Sequence, residues 1–241
     1  LPFLYAWMKF EERNSSSEII WDKKTFFFLL LGGLCFALDM SIWNWSLSFT
    51  SVANATLMAN IAPVFVVIFG VLFLGYKIEI SFVVTLLLAL LGVFLVILPG
   101  EQIMVFGDSL GILAAVFYAG YILSIKDLTN ILQPARTLFL VTIITTLCLF
   151  PISLIEAHSF NLSKSEFFIL ISYAIFSQTL AQGLITSGIS KVSAHLSSLV
   201  LLMQPVAAAF YGWFFLQELL SPLQMAGGLI VLAAIYLASR K

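Results

Sequence analysis

The chain has 241 residues, of which 61% are hydrophobic and only 10% charged, and its mean hydropathy is +1.10. Soluble domains are about half apolar and a quarter charged, so this composition excludes a water-soluble globular protein and predicts an integral membrane protein. The net charge of −1 gives no reason to expect a nucleic-acid partner. Cys35 and Cys148 lie inside apolar runs without a CxxC pattern or clustered histidines, so neither a disulfide nor a metal site is expected.

Eight apolar segments are long enough to cross a hydrocarbon core of ~30 Å as a helix. In chain order they cover residues 26–47, 52–74, 81–99, 109–126, 138–155, 167–189, 193–216 and 222–238. The connections between them are short, so no soluble domain lies between the spans. The pattern predicts an all-α integral membrane protein with eight complete transmembrane helices.

The basic residues predict how these spans are oriented. Eight crossings sort the connections and ends into two sets, and ten of the eleven lysines and arginines fall on one side. These are Lys9, Arg13, Lys23, Lys24, Lys77, Lys126, Arg136, Lys191, Arg240 and Lys241, whereas Lys164 alone falls on the other. The positive-inside rule therefore places the basic side, with the C-terminus, in the cytoplasm.

Two segments of the chain repeat each other. "SVANATLMANIAPVFVVIFGVLFLG" at 51–75 and "SAHLSSLVLLMQPVAAAFYGWFFLQ" at 193–217 are offset by 142 residues. They share seven identities: Ser51/Ser193, Leu57/Leu199, Pro63/Pro205, Val64/Val206, Gly70/Gly212, Phe73/Phe215 and Leu74/Leu216. They are the second and seventh spans, and an odd separation makes them cross in opposite directions. An inverted repeat of this kind is typical of secondary transporters, whose substrate sites lie near mid-depth.

The repeat divides the chain into two unequal domains. The second, residues 101–241, contains five spans, whereas the first, residues 1–100, contains three complete ones after the opening "LPFLYAWMKFEE". That opening corresponds in the overlay to the end of a helix that closes near "LFPISLIE", and the chain begins with Leu1 rather than methionine. We expect that one to two helices are missing upstream, and the alternative is a protein of eight helices.

Three stretches carry a family resemblance: "ALDMSIWNWSLSFTSVANATLMANIAPVF" (37–65), "GDSLGILAAVFYAGYILSIKDL" (107–128) and "SQTLAQGLITSGISKVSAHLSSLVLLMQPVAAAFYGWFFLQELLSPLQMAGGLIVLAAIYLA" (177–238). They resemble the EamA-type drug/metabolite transporter superfamily. The resemblance implies ten helices in two inverted five-helix EamA units around a central cavity, with eight of the ten complete here. It also implies transport of amino acids, nucleotide-related metabolites or drugs, and no cofactor is expected.

Asp39 is the one acidic residue well inside a predicted span. Placing an aspartate near the bilayer centre costs about 2.5–3.5 kcal/mol, so its side chain should face protein or water. It is either a site for a cation, a proton or a substrate amine, or a structural carboxyl hydrogen-bonded to a neighbouring helix. Trp43, one turn on, would suit an amine-bearing substrate or would anchor the helix at the interface.

Other polar side chains share helix faces inside the spans, at spacings of one or two turns. Because such groups are unfavourable toward lipid, we expect them to line a substrate cavity, with hydrogen bonding between helices as the alternative. These candidates are Thr56, Asn60, Tyr118, Tyr121, Gln178, Gln182, Ser197, Ser198 and Gln204. For the two tyrosines, which lie among alanines and a glycine, close helix packing is the default interpretation.

Pro63 and Pro205 occupy equivalent positions in the repeat. Each lacks a backbone donor and deprives the carbonyl four residues earlier of its usual partner. We predict a kink in both helices, which serves either as a hinge during transport or as a static bend.

These features favour a secondary transporter, a permease or exporter, of small metabolites such as amino acids or nucleotide-related compounds. It would work by alternating access in the inner or plasma membrane, with the lipid bilayer and a small-molecule substrate as partners and a proton or ion as a candidate for coupling. A lipid-linked carrier or flippase, and a non-transporting membrane subunit, are the alternatives. An enzyme is not expected, because Ser190 and His195 have no evident third partner or oxyanion donor.

Overall fold

A computed structural model describes residues 1–13, 21–77, 79–97, 104–156, 163–217 and 219–240. Within these ranges the regular structure is entirely helical. The α-helices are α1 (Pro2–Arg13), α2 (Lys23–Ser46), α3 (Val52–Ala59), α4 (Ala62–Leu74), α5 (Ile80–Ile97), α6 (Val105–Thr129), α7 (Pro134–Glu156), α8 (Lys164–Tyr173), α9 (Gln182–Lys191), α10 (Ala194–Leu201), α11 (Met203–Leu216) and α12 (Pro222–Ser239). A π-helical segment, Ala174–Ala181, joins α8 to α9.

The prediction of eight spans is confirmed. Stretches long and apolar enough to cross a membrane are Lys23–Ser46, Val52–Leu74, Ile80–Ile97, Val105–Thr129, Pro134–Leu154, Lys164–Lys191, Ala194–Phe215 and Pro222–Ser239. Their ends differ from the predicted ends by at most four residues. The end predicted at residue 99 and the domain boundary predicted at 100/101 lie outside the described residues.

Three of the spans are not continuous α-helices. One of them is Lys164–Lys191, which contains the π-helical segment. The span Val52–Leu74 is interrupted at Asn60 and Ile61, and the span Ala194–Phe215 is interrupted at Leu202. Pro63 and Pro205 each stand three residues after the start of the break, in the first turn of the following helix. Proline is favoured in a first helical turn because its missing N–H has no intrahelical acceptor there.

The 142-residue repeat extends to the backbone conformation. Helices α3 and α5 correspond to α10 and α12 at both ends when 142 is added to their residue numbers. The residues at the breaks also correspond: Asn60 has φ −68° and ψ −3°, and Leu202 has φ −65° and ψ −7°. The two copies therefore fold by the same local rules, although fewer than a third of their aligned residues in 51–75 and 193–217 are identical.

The ends of α4 and α11 match as well. Gly75 ends α4 in the left-handed region with φ 67°, and Gln217 ends α11 there with φ 56°. The N–H of each residue donates to the carbonyl five residues earlier, at Gly70 and Gly212 respectively. A left-handed C-terminal residue usually is glycine, because any Cβ is strained in this conformation.

Contacts divide the chain into two compact units, Leu1–Ala37 with Tyr121–Ser193 and Leu38–Gly120 with Ala194–Lys241. Each unit takes segments from both halves of the sequence. The compact units therefore do not coincide with the two repeats expected at 1–100 and 101–241. The division into these repeats remains a prediction from the sequence.

In the first unit, the acidic end of α1 contacts the beginning of α7. The N–H of Ala135 donates to the Glu11 carboxylate at 3.0 Å, so Glu11 satisfies a donor that the first turn of α7 leaves free. Arg136 donates to Glu12, and Lys9 donates to the same carboxylate at 2.8 Å. The hydrogen bond from Lys9, followed by that from Arg136, holds the pKa of Glu12 below its usual value.

The second unit is built around the crossing of α5 and α12. Its core consists of Leu57, Leu86, Ala89, Val93, Leu199, Leu202, Val231 and Ala234, all buried. At the closest approach, a Cβ added to Gly227 would lie 2.6 Å from the carbonyl oxygen of Gly92. Without side chains at these two positions the backbones come into contact, which is the usual way for helices to associate in lipid.

Candidate functional site

Asp39 lies in α2, and only 8% of its surface is exposed. It is 16 residues from Lys23 and seven from Ser46, which places it about 10 Å along the axis from the C-terminal end of the helix. Every other charged or histidine residue of the eight described spans lies within four residues of a span end.

Within the described part of the chain, no hydrogen bond or ion pair reaches the Asp39 carboxylate. The alternative of a structural carboxyl held by a neighbouring helix thus finds no partner among these residues. Trp43, one turn further along α2, is half-buried.

Gln182 and Tyr121 are brought together by the fold of the first unit. The side-chain amide of Gln182 donates to the Tyr121 hydroxyl at 2.6 Å, although the residues are 61 positions apart. Tyr121 is fully buried, and its ring stacks on that of Phe36 with 4.5 Å between the centroids and 21° between the planes. Burial and stacking therefore hold the Tyr121 hydroxyl in place. Gln182 itself is only half-buried.

The segment that positions Gln182 begins with the π-helix. Gln178, half-buried, lies within it, and the Thr179 hydroxyl donates to the carbonyl of Ala174 at 3.2 Å. The α8 and π-helical segments contain no buried side chain, whereas Gly183, Thr186 and Ile189 of α9 are buried. Segments of π-helix are rare and recur at functional sites.

Helix α9 makes contacts with neighbouring helices at both of its ends. A Cβ added to Gly183 would lie 2.9 Å from the Trp7 ring, so the glycine admits the indole of α1. At the other end, the Lys126 ammonium donates to the carbonyls of Ile189 and Ser190, both at 3.2 Å. A cation at the carbonyls of the last helical turn also complements the negative end of the helix dipole.

The candidates at the breaks belong to the second unit. The Asn60 side-chain amide donates to the backbone carbonyl of Thr56 at 2.7 Å. The two residues of the predicted polar stripe are therefore bonded to each other at the end of α3. Both residues are half-buried. Pro63 and Pro205 are buried and lie two and three residues beyond the breaks, respectively.

The other candidates are distributed along the second unit. Ser197 and Ser198 are buried in α10, and the Ser198 hydroxyl donates to the carbonyl of His195 at 2.8 Å. Tyr118 is half-buried in α6, whereas Gln204 is exposed at the start of α11. Hydrogen bonds join Gln182 to Tyr121 and Asn60 to Thr56, and each of these pairs lies within one compact unit.

Two features escaped the sequence analysis. The first is Phe36, whose ring stacks on that of Tyr121. The only feature of the sequence that pointed to Phe36 was its alignment with Gln178 at the 142-residue offset. The second is His195, which packs between the rings of Tyr76 and Phe82 at centroid distances of 5.1 and 5.5 Å. Its Nε2 is buried and finds no partner among the described residues, and nothing in the local sequence indicated this environment.

Comparison with known proteins assigns the chain to a family. The model of the EamA-like transporter family matches residues 1–98 and 105–240. The pseudopaline exporter CntI of Pseudomonas aeruginosa is 27% identical over 214 residues, covering 88% of this chain and 74% of its own. An uncharacterized transporter of Archaeoglobus fulgidus is 26% identical over 192 residues, covering 80% of this chain and 68% of its own.

The fold has a counterpart among solved proteins. One crystal structure superimposes with a TM-score of 0.68 over 88% of this chain and 87% of its own, at 15% sequence identity. At this identity the likeness supports the helical fold alone. With the family match over nearly the whole chain and eight membrane spans, the conclusion is that this chain belongs to the EamA-like transporter family and is a multi-pass membrane transporter of small molecules, not an enzyme.

Proposed function

We propose that the protein is a secondary transporter that moves small polar metabolites, such as amino acids or nucleotide-related compounds, out of the cytoplasm by alternating access. The observation that carries this proposal is the pair of equivalent helix breaks at Asn60–Ile61 and at Leu202. Interrupted helices in corresponding positions of two inverted repeats are the feature that marks substrate sites in transporters of this kind. The direction of transport draws support from the relative named as a pseudopaline exporter.

The breaks also supply the flexibility that alternating access requires. Because the regular helix is interrupted at Asn60–Ile61 and at Leu202, bending at these points disrupts less helical structure than bending elsewhere in a span. Non-helical backbone at membrane depth is tolerated where it is buried in protein or lines a water-filled cavity, which supports a substrate path beside both breaks.

Gln182 is the residue we assign to substrate binding. Its amide nitrogen is held by Tyr121, and within the described residues its side-chain oxygen accepts no hydrogen bond. This oxygen is an acceptor held in place before a substrate arrives, and orientation in advance lowers the entropic penalty of binding. An ammonium or hydroxyl group of an amino-acid derivative is a donor that it would accept.

A thermal-shift screen of the purified protein in lipid nanodiscs tests this function. The panel contains amino acids, their derivatives and nucleosides, and we expect members of at least one of these classes to stabilise the protein. A ligand at a hundred times its Kd should add about 2.7 kcal/mol to the free energy of unfolding. Gln182→Leu should weaken this effect, whereas Gln217→Gly, which removes an amide outside the spans, should not.

Transport itself is measured with liposomes that contain the reconstituted protein and a radiolabelled ligand from the screen. We expect efflux that unlabelled ligand accelerates by exchange. If no compound of the panel stabilises the protein or leaves the liposomes, the proposal of a metabolite exporter is wrong.

The proposed orientation places the C-terminus in the cytoplasm of the cell. The ten-to-one distribution of basic residues supports it. A green fluorescent protein fused after Lys241 should therefore be fluorescent, and an alkaline phosphatase fused there should be inactive. The opposite pair of results would invert the topology.

A further inference from the structure

We propose that the Asp39 carboxyl is a proton-binding site of this transporter, loaded from water on one side of the membrane and unloaded to the other. The coupling of this proton to substrate movement rests on the proposed function, whereas proton binding at Asp39 does not. The proposal starts from geometry: a carboxyl that is more than nine-tenths buried and about 10 Å from the end of a spanning helix.

Among the residues that the structure describes, no cationic side chain pairs with Asp39. All lysines, arginines and histidines of the described spans lie near the span ends, and none pairs with this carboxyl. The other titratable side chains at depth in the described spans are cysteines and tyrosines, neither of which can carry a positive charge. On α2 itself the nearest one is Cys35, one turn before Asp39, and those of α6 are Tyr118 and Tyr121.

An isolated carboxylate in such surroundings is strongly unfavourable, so the group takes up a cation or becomes protonated. A metal ion would need several oxygen ligands, and the described residues contain no group of three histidine, cysteine or acidic side chains that could hold one. A proton needs only the carboxyl itself. A proton is therefore the cation that this carboxyl can bind without further ligands.

Asp108 provides an internal comparison. It is as buried as Asp39, with 6% of its surface exposed, but both of its carboxylate oxygens are occupied. One accepts from the Thr50 hydroxyl at 2.6 Å and the other from the N–H of Met104 at 2.9 Å. Both oxygens of Asp108 therefore serve a structural role at the start of α6, whereas the Asp39 carboxyl has no partner among the described residues.

The step is a reversible transfer of one proton. Water on the open side delivers a proton to the carboxylate, which becomes a neutral carboxylic acid, and the same proton leaves to water after the protein has opened to the other side. The neutral acid is the form that tolerates the closed intermediate, because burial penalises the anion. For an exporter, one proton would enter the cell for each turnover in which substrate leaves.

Infrared spectroscopy of the reconstituted full chain tests proton binding without any substrate. We expect a C=O stretching band of a protonated carboxyl that weakens as the pH is raised, that is lost in Asp39→Asn and that persists in Asp108→Asn. Asp39→Glu should keep the pH-dependent band at a shifted frequency. Labelling with carbon-13 aspartate shifts the band in the wild-type protein, which keeps the test valid if Asp39→Asn does not fold.

Two infrared results would overturn the proposal. One is a spectrum of folded Asp39→Asn that equals that of the wild type at every pH. The other is an aspartate band that does not change between acidic and alkaline pH, because a group that is protonated at every pH cannot take up and release a proton during transport.

Efflux assays then test coupling with the ligand from the thermal-shift screen. An inward proton gradient should accelerate wild-type efflux, and Asp39→Asn should lose this acceleration. If Asp39→Asn instead loses ligand binding at every pH, the carboxylate binds a substrate ammonium and the proton assignment is wrong. A screen without any ligand contradicts the proposed function and leaves the infrared result standing, so the two failures are distinguishable.

Discussion

The crossing of α5 and α12 predicts a large effect from a single methyl group. In Gly227→Ala the new Cβ would lie 2.6 Å from the carbonyl oxygen of Gly92, 2.9 Å from the Cβ of Leu95 and 3.0 Å from the backbone nitrogen of Val96. Ordinary contacts begin at 3.4 Å, so the backbones must move apart by about 0.8 Å, the difference of 3.4 and 2.6. Overpacking of this kind costs about 1–3 kcal/mol.

The adjacent glycine provides the matched control. In Gly228→Ala the nearest atom to the new Cβ is a methyl carbon of Val206 at 3.4 Å, an ordinary contact. Both substitutions gain the same helix propensity of alanine over glycine, about 1 kcal/mol in water, so the difference between them isolates the clash. We expect thermal unfolding in detergent to show Gly227→Ala less stable than Gly228→Ala. Equal stability of the two variants would refute the close crossing.

The other predictions concern caps, a hydrogen bond and a pH effect. Gly75→Ala should lose about 1–2 kcal/mol by backbone strain alone, since no other described atom lies within 4 Å of the added Cβ. Gln217→Gly should raise the thermal midpoint by relieving the same strain, and a lower midpoint would contradict this. Tyr121→Phe should lose about 0.5–1.5 kcal/mol in thermal unfolding, because the amide of Gln182 loses its acceptor, and no loss would mean that the bond is not formed. The pKa of Glu12 is lowered in the fold, so its pairs stabilise α1 above the usual carboxyl pKa and fail as the pH falls through the lowered value. Hydrogen exchange should show that protection of α1 drops at acidic pH in the wild type and stays low at all pH in Glu12→Gln.

The spans were predictable because the thickness of the bilayer sets the length of an apolar run. The 142-residue repeat was visible in the identities around Pro63 and Pro205, and the prolines indicated that these two helices bend. Only the structure showed that each break begins three residues before its proline, at Asn60 and at Leu202. A proline is compatible both with a kink inside a helix and with the start of a new one.

The candidate site was predictable as a set of polar residues but not as a set of contacts. Asp39 and Gln182 were identified because polar groups are rare at membrane depth. The sequence did not indicate which group accepts from the Gln182 amide or which ring stacks on Tyr121. Nor did it indicate the π-helix before Gln182. In lipid a helix is apolar on all sides, so hydropathy does not indicate which face packs on which neighbour.

Sequence by itself therefore determined the class of the protein, the number of its spans and the internal duplication, since each follows from local composition measured against a membrane of known thickness. Tertiary structure alone decided which polar groups are partnered and which are not: Asp108 with Thr50, Gln182 with Tyr121, and Asp39 with no described residue. Those pairings join residues about 60 positions apart, and a hydrogen bond depends on a distance in space that no spacing along the chain encodes.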